Sequence, residues 1–228
     1  MSQVMGVMKM HVREKWGWFY TPWIILFFSF FVNLVIGFLL DGSDPMYTGG
    51  LMSIYIYMLV MGMVTITQMF QFAIGLSVSR KDFYLGTLGI FVAMSAGITI
   101  VLFVLTSIEQ WTGGWGVNLH FFHLPYLHDG LPIEQFSISF IVMLHMCYLG
   151  FVISSVFQRF GRSGLLIFLG VLFVLSSILA FLCTYYEWWM DIFYWIAKHT
   201  AFELALWMIP LVIIYMVVSY WLLRKATV

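Results

Sequence analysis

The chain has 228 residues, of which 63% are hydrophobic and only 9% are charged, and its formal net charge is zero. A soluble domain of this length could not hide so much apolar surface, because a soluble fold still needs a wetted polar exterior. The composition therefore excludes an ordinary soluble protein, and the pattern of basic residues does not suit nucleic acid. Cys147 and Cys183 both lie in apolar runs, which argues against a disulfide framework and a cysteine-ligated zinc site.

The N-terminal segment, residues 1–18, is predicted to form an amphipathic cytosolic helix. Apolar side chains recur at helical spacing on one face, and polar or charged side chains occupy the other. The apolar face comprises Met1, Val4, Met5, Met8, Val12 and Trp16, and the other side comprises Ser2, Gln3, Lys9, Arg13 and Glu14. A helix of this kind lies in the membrane interface, so we expect it on the inner leaflet.

Several apolar runs are long enough to cross a bilayer as helices, which takes about 20 residues each. Backbone groups within lipid must pair internally, and the alternating pattern of a barrel is absent, so helices are expected. The sequence thus predicts an all-α, polytopic membrane protein with a single transmembrane domain over residues 1–228. The six predicted spans are residues 22–40, 51–78, 88–108, 136–157, 165–183 and 204–223.

The distribution of charge predicts the orientation of these spans. One side carries the N-terminal segment, the Arg80–Lys81 turn, the Arg159–Arg162 turn and the C-terminal tail, which together hold every Lys and Arg except Lys198. The loops of the other side hold Asp41, Asp44, Glu109, Asp129, Glu134, Glu187, Asp191 and Glu203. By the positive-inside rule, both termini are expected in the cytoplasm.

Two outer segments are unusually rich in aromatic residues. Residues 109–135 form a long loop that contains Trp111 and Trp115, and residues 184–203 contain six Tyr and Trp residues. Such aromatic density is typical of the headgroup level of a membrane. We therefore expect one or two short interfacial or re-entrant helices within residues 184–203, before the last span.

Histidines of the outer loop form the nearest approach to a metal-binding motif. His120, His123 and His128, with Asp129, are close in sequence, and imidazole and carboxylate groups bind zinc or copper. The same loop contains prolines and glycines, so the spacing does not fall on one helix. Surface or interfacial histidines that cluster by chance explain the pattern more simply, and we expect no metal site here.

Polar side chains within the predicted spans are the other candidates for function. They are Asn33, Gln68, Gln71 and His145. Ionisable or strongly polar residues in lipid often mark a transport path or a functional site. They also hydrogen-bond neighbouring helices as structural contacts, and the sequence leaves both interpretations open.

No catalytic motif is present, so we expect the chain not to be an enzyme. It lacks GxxxxGK[ST], HExxH and CxxC, which argues against its own nucleotide or metal chemistry. Gly161–Gly164 reads GxSG, as in intramembrane serine proteases. However, Ser163 follows His145 by so many residues that a continuous helix would separate them by about 27 Å, beyond hydrogen-bond reach.

The turn after the second predicted span, at residues 79–82, combines a helix-capping residue with three charged residues. That span would be about 42 Å long as a helix, so its inner end should project beyond the lipid. Ser79 is a good N-cap, with Asp82 three positions later, and Gly86 allows a turn into the third span. The sequence thus predicts a short, separate, capped helix over residues 79–84.

Aromatic residues distinguish this short helix from a simple topology signal. Arg80 and Lys81 satisfy the positive-inside rule alone, which leaves Phe83 and Tyr84 unexplained. Arginine beside aromatic residues is typical of protein–protein hot spots. We therefore interpret residues 79–84 as a docking surface for a cytosolic partner.

The chain has an N-terminal amphipathic helix, six predicted spans with both termini inside and an aromatic segment before the last span. This order of elements resembles the permease subunit of ABC-2 type exporters in bacteria, and so does the stretch QFAIGLSVSRKDFYLGT in particular. The resemblance covers the whole chain and implies a homodimer or heterodimer of permeases on separate P-loop ATPase subunits, which hold ATP and Mg. It makes Ser79, Arg80, Lys81, Asp82, Phe83 and Tyr84 the coupling helix, and Arg159, Phe160, Arg162 and Ser163 a secondary contact. The N-terminal helix would lie at the ATPase junction, and residues 22–40 and 165–183 would form the dimer seam.

The same resemblance implies a location in the bacterial plasma membrane and outward movement of a hydrophobic or amphipathic substrate, such as a drug, an antimicrobial peptide or a lipid-like molecule. The chain itself would bind no cofactor. Two alternatives stay open at this point: the substrate-binding membrane subunit of an energy-coupling importer, and a membrane enzyme or regulatory protein.

Overall fold

The structure is a computed structural model that describes residues 3–14, 16–40, 45–125 and 130–226. The fold is all-α and 86% helical. Its helices are α1 (Gln3–Arg13), α2 (Thr21–Leu39), α3 (Met52–Thr65), α4 (Gln71–Gly75), α5 (Arg80–Trp111), α6 (Pro132–Tyr185), α7 (Trp189–Lys198) and α8 (Ala201–Arg224). Two short strands, β1 (Met46–Tyr47) and β2 (Leu119–His120), pair in parallel. Wider π-helical turns lead into α2 at Trp16–Tyr20 and join α3 to α4 at Ile66–Phe70.

Several of these helices are long and apolar enough to cross a membrane, as the sequence predicts. Within the described ranges they are the stretches Trp16–Leu39, Met52–Gly75, Arg80–Trp111, Pro132–Tyr185 and Ala201–Arg224. The fourth and fifth predicted spans both fall within α6. Its 54 residues would extend about 81 Å if straight, far more than a bilayer core of about 30 Å.

A break at Gly161 divides α6. This residue has φ of 70° and ψ of −168°, a conformation outside the helical region that glycine adopts readily. On the first side of the break, Ile138 and Ile141 form a small buried cluster with Ala205 of α8. Further along, the ring of His145 lies 5.3 Å from that of Tyr215. Residue numbers rise together along this contact, so the first part of α6 and α8 run in the same direction.

The chain must therefore return, between residue 160 and the start of α8, to the end of the bundle where α6 begins. Residues 162–185 are helical and supply most of the length of that return. None of these residues is buried, and Phe173, for example, is 73% exposed. Apolar side chains of α2, such as Phe28 and Phe38, are also exposed. Such a surface is compatible with lipid and unsuited to water.

The centre of the bundle is a close crossing of α3 and α6. A Cβ atom placed on Gly62 would overlap the carbonyl oxygen of Cys147, and one placed on Gly150 would overlap the carbonyl oxygen of Leu59. Close backbone approach at small residues is how helices commonly pack in membranes. Beside this crossing, the ring of Phe91 on α5 packs edge-on against Phe151 at 5.3 Å. The core is thus held by glycines on two helices and aromatic residues on a third.

The predicted short helix at residues 79–84 does not form as a separate element. Instead α5 runs unbroken from Arg80 to Trp111, and Gly86 lies within it. A Cβ on Gly86 would be 2.7 Å from Cβ of Val7 and 3.0 Å from the carbonyl oxygen of Val4. This glycine therefore admits α1 against α5, and its role is close helix packing where the sequence suggests a turn.

The N-terminal helix is shorter than predicted and packs partly on protein. It ends at Arg13, and Met1, Ser2 and Lys15 of the predicted segment lie outside the described residues. Val7 and His11 are fully buried against the bundle, whereas Met5 and Val12 remain exposed. The buried Val7 and His11 were not part of the predicted apolar face, of which Val4 and Met8 are half-buried and Met5, Val12 and Trp16 are exposed. The short helix α7 precedes the last long helix, α8, and lies within residues 184–203, where the sequence predicts one or two short helices.

Candidate functional site

The candidate site is the place where α1, the start of α5 and the end of α8 meet, which we call the α1–α5–α8 junction. Ser79 caps α5 as the sequence predicts: its Oγ accepts a hydrogen bond from Asp82 N at 3.1 Å and lies 2.5 Å from the Asp82 carboxylate. The backbone N–H of Ser79 also donates to Oε1 of Gln3 at 3.3 Å. The cap therefore joins α1 to α5 at the first residue of the turn.

Arg80 joins α5 to α8. Its guanidinium donates a hydrogen bond to the carbonyl oxygen of Arg224 at 2.8 Å. That carbonyl is at the C-terminus of α8, where the helix leaves unpaired carbonyls and a partial negative charge that a cation stabilises. One turn later, the hydroxyl of Tyr84 donates to the carbonyl oxygen of Met216 at 2.8 Å. Arg80 and Tyr84 are thus internal ties between two helices.

Phe83 and Tyr84 are not on the surface, contrary to the prediction of a docking hot spot. Phe83 is 0% exposed and Tyr84 6% exposed. The ring of Phe83 lies 5.3 Å from that of Phe70, and Tyr84 packs 5.2 Å from Tyr220. A helix in a bundle must direct one face inward, and this face of α5 points to the core. Both aromatic residues therefore stabilise the junction from inside.

The surface of the junction is formed by other residues of the same turn. Ser79 and Lys81 are exposed, Asp82 is half-buried, and Leu85 is exposed. Residues four apart share a helix face, so Lys81 and Leu85 present a cation and an apolar side chain side by side. This pair is the part of the predicted docking helix that a partner could reach.

His11 is a buried polar group of the junction that sequence reasoning missed. It is 0% exposed, its Nε2 lies 3.2 Å from Oγ1 of Thr87, and its ring contacts that of Trp18 at 5.6 Å. Burial lowers the pKa of His11 from 6.5 to about 4, because the charged imidazolium would lose its hydration. The only sequence signal is its position one turn after Val7 on the inward face of α1.

The predicted secondary contact lies at the break in α6. Phe160 and Arg162 are exposed, and so is Ser163. The guanidinium of Arg159 lies 4.9 Å from the centre of the Phe160 ring, within the range of a cation–π contact. At this break, unlike at Phe83, an aromatic residue and an arginine are both exposed, namely Phe160 and Arg162.

The predicted polar residues of the spans do not converge. The side-chain amide of Asn33 donates to the carbonyl oxygen of Ser29 in its own helix at 2.8 Å. Gln68 and Gln71 are exposed on the outside of the bundle. His145 is half-buried against Tyr215. These contacts are those of local and interhelical packing.

At the other end of α5, Glu109 organises the loop that follows this helix. It is 1% exposed, and its Oε2 accepts hydrogen bonds from the backbone N–H of Phe121 and Phe122 at 3.1 and 2.9 Å. Oε2 also accepts from the indole N–H of Trp115 at 2.9 Å, and Oε1 accepts from His123 N at 2.8 Å. A carboxylate satisfied this fully fixes the loop to the helix end.

The loop held by Glu109 contains residues with unusual backbone angles. Trp115 and Asn118 have φ of 60° and 53°, a region that side chains other than glycine rarely adopt. Nearby, the ring of His120 stacks on Tyr47 at 4.9 Å, so the loop also closes on β1. The loop is thus held at both α5 and β1.

Of the histidines considered as metal ligands, His120 and His123 have ring centres 6.4 Å apart, and His128 and Asp129 lie outside the described residues. Nδ1 of His120 is 3.9 Å from Oε1 of Glu109. Nowhere in the described ranges do three or more His, Cys, Asp or Glu residues form a group that could hold a metal ion. His120 contributes to the structure of the loop through its contacts with Tyr47 and Glu109.

Comparison of the chain with protein families, curated proteins and solved structures finds no match.

Proposed function

We propose that this chain is the membrane-embedded permease subunit of an exporter driven by a separate P-loop ATPase. The observation that carries the proposal is the α1–α5–α8 junction. There, hydrogen bonds join three helices at one end of the bundle, and Lys81 is exposed on its surface. ATP and Mg would be held by the partner ATPase, and the permease would act as a homodimer or a heterodimer. A hydrophobic or amphipathic substrate would move outward across a bacterial plasma membrane.

The proposal includes six transmembrane spans with both termini in the cytoplasm. It is supported by the break at Gly161 and by the shared direction of α8 and the first part of α6, which are expected if residues 162–185 form a return crossing. It is also supported by charge. Lys9, Arg13, Lys81 and Arg224 lie on the elements that meet at the junction, as expected of a cytoplasmic face.

In this proposal α5 is the lever that transmits ATPase motion. Because it is a single helix of 32 residues, it extends about 48 Å, enough to cross a membrane without a joint. Lys81 lies in its first turn, and Glu109 holds the outer loop at its other end. A displacement of the Lys81 end would therefore move the outer loop directly, without a separate coupling helix.

Arg159, Phe160 and Arg162 would form the second contact with the ATPase. The exposure of Phe160 and Arg162, together with the cation–π contact of the half-buried Arg159, suits a small hot spot. This division of roles replaces the docking surface predicted at Phe83 and Tyr84. The primary contact becomes the Lys81–Leu85 face, and Phe83 and Tyr84 support it from within.

The proposal predicts that a neighbouring gene encodes a P-loop ATPase without spans of its own, and that ATPase is the partner used in the test. Co-expressed full-length chains are expected to purify as a stable complex in mild detergent. In liposomes, the complex is expected to hydrolyse ATP faster than the ATPase alone and to expel an amphipathic fluorescent dye. A complex that neither forms nor changes ATP hydrolysis would refute the proposal.

A further inference from the structure

A groove of about 730 Å³ lies between α1 and the end of α4, and nothing proposed above uses it. One wall is formed by Phe72, Leu76 and Val78, and the other by α1, including Lys9 and Arg13. Its volume falls in the range of about 300–1,000 Å³ that is typical of pockets for small molecules.

The two walls differ in chemistry. Phe72 is 59% exposed and Leu76 61% exposed, so much of the apolar wall is uncovered by the chain itself. Lys9 and Arg13 are four residues apart, on the same side of α1. None of the described residues that line the groove is acidic, and Glu14 lines a neighbouring cavity together with Arg13, Trp16 and Tyr20.

The groove also has room at its α1 wall. A Cβ atom placed on Gly6 would meet no other atom within 4 Å. Gly6 therefore leaves space beside the two cations, where a larger side chain would project into the groove. The arrangement is a cationic edge, an open space and an apolar wall.

We propose that this groove binds an anionic phospholipid, with the phosphate at Lys9 and Arg13 and an acyl chain along Phe72, Leu76 and Val78. The apolar wall continues from the stretch Met52–Gly75, which is long and apolar enough to cross a membrane. Lys9 and Arg13 lie on the opposite wall of the groove, and a positive edge that faces an uncovered apolar wall complements the anionic headgroup and the acyl chain of such a lipid. The proposal rests on membrane embedding alone and is independent of the ATPase.

A lipid seated here would hold α1 against α4 in addition to α5. Gln3, which also lines the groove, bonds to the N–H of Ser79 at the start of the junction. The bound lipid would thus stabilise the same end of the bundle that carries Lys81.

The test uses native mass spectrometry of the full-length chain, purified in detergent, with phosphatidylglycerol and phosphatidylcholine of equal chain length. The wild type is expected to retain phosphatidylglycerol selectively. The double variant K9Q/R13Q is expected to bind it about 10- to 30-fold more weakly, because each cation near a lipid headgroup contributes substantially to binding. Gly6→Leu is expected to weaken binding at least about fivefold by filling the open space beside the two cations.

The matched control is R159Q/R162Q, which removes two cations that do not line the groove, one half-buried and one exposed. It is expected to leave the affinity for phosphatidylglycerol unchanged. Equal losses in both double variants would show non-specific attraction and overturn the proposal. Competition by inorganic phosphate at the concentration of the lipid would identify a free-anion site and overturn it as well.

A second measurement does not depend on any variant. Phosphatidylglycerol with a photoreactive diazirine in its acyl chain is cross-linked to the wild type, and the labelled peptides are identified. Labelling is expected at Phe72, Leu76 and Val78 above the level found with the phosphatidylcholine analogue. Labelling confined to α2 or to residues 162–185 would overturn the proposal.

Discussion

The imidazole of His11 lies against the hydroxyl of Thr87, with Nε2 and Oγ1 3.2 Å apart, and both residues are fully buried. The contact joins α1 to α5 at a point enclosed by the rings of Trp18 and Phe83. A neutral imidazole fits this surrounding, whereas an imidazolium there would be desolvated. The attachment of α1 is therefore sensitive to the protonation of one residue.

Acidification is expected to release α1. The pKa of His11 is about 4 in the folded chain and 6.5 as the ordinary value, so the unfolded state binds more protons between these pH values. Stability is complete above about pH 6.5 and falls progressively toward pH 4, by up to about 3 kcal/mol. Hydrogen exchange of the α1 amides, corrected for the intrinsic effect of pH, is expected to increase over this window.

The control for this prediction is His11→Leu. It keeps an apolar side chain of similar size in the site but has no titrating group. Exchange in α1 of this variant is expected to be independent of pH between about 4 and 6.5. If wild type and variant respond alike to acid, another group is responsible.

Gly86→Ala is expected to displace α1, whereas Gly89→Ala is not. The added Cβ at position 86 would lie 2.7 Å from Cβ of Val7, and backbone atoms of α1 leave it little room. At position 89 the nearest atom is the flexible Sδ of Met8 at 3.4 Å. We expect a loss of about 1–3 kcal/mol for the first variant, and little change or a small gain in helix stability for the second. Chemical unfolding in micelles measures both, and equal effects would contradict the close approach.

The crossing of α3 and α6 is expected to be the most sensitive point of the core. Gly62→Ala and Gly150→Ala would each place a methyl group against backbone of the facing helix, which cannot rotate away. A loss of about 1–3 kcal/mol or more is expected for each in the same unfolding measurement. Gly97→Ala on α5 is the control, because its Cβ would meet nothing within 4 Å. A stable Gly150→Ala variant would show that the two helices do not pack as described.

Local chemistry made part of the fold predictable. Long apolar runs predict helices because no other structure satisfies the backbone in lipid. The cap at Ser79 is equally local, since it depends only on Ser79 and Asp82. The break at Gly161 falls between two predicted spans, where the sequence already indicates a turn. These features need no knowledge of neighbouring helices.

The direction in which side chains point, into the bundle or away from it, was harder to predict from the sequence. In α5 the inward and outward faces are both apolar, since one faces protein and the other is compatible with lipid, so the sequence carries little signal for which is which. Phe83 and Tyr84 were thus predicted outside but are inside. Gly86 was interpreted as a turn for the same reason, because its partner Val7 is distant in the sequence.

Glu109 was missed as an organising residue because its partners lie 12 to 14 residues further along, in an irregular loop. A signal for it does exist. An acidic residue in the last turn of a helix is unfavourable next to the negative end of the helix dipole. Its presence there indicates donors that stabilise it, here Phe121, Phe122 and His123.

Glu109→Gln is expected to loosen the loop that follows α5. The amide NH₂ cannot accept a hydrogen bond, so N–H groups now bonded to one carboxylate oxygen would be left unpaired. A cost of about 1–3 kcal/mol is expected, with faster hydrogen exchange at residues 121–123. The control is Glu134→Gln, whose carboxylate bonds the exposed N–H of Leu131 at 3.0 Å. Unchanged exchange in Glu109→Gln would mean that β1 and the aromatic contacts hold the loop alone.

Lys81→Glu is expected to impair docking of the ATPase without lowering the stability of the fold, whereas Phe83→Ala is expected to lower that stability. Lys81 is exposed and lies beside Leu85 on the outer face of α5, so reversing its charge changes the surface but not the core. Phe83 is fully buried, and its truncation should cost about 3–5 kcal/mol of stability, which would obscure any effect on a partner.

In liposomes that contain the ATPase, Lys81→Glu is expected to keep the wild-type unfolding midpoint while lowering dye export per ATP hydrolysed. Lys198→Glu makes the same charge change at the end of α7, away from the α1–α5–α8 junction. It is expected to leave the ratio of dye exported to ATP hydrolysed unaltered. Export at the wild-type ratio in Lys81→Glu would remove the Lys81–Leu85 face from the mechanism. Loss of the ratio in both variants would assign the effect to net charge, because only one of the two residues lies at the α1–α5–α8 junction.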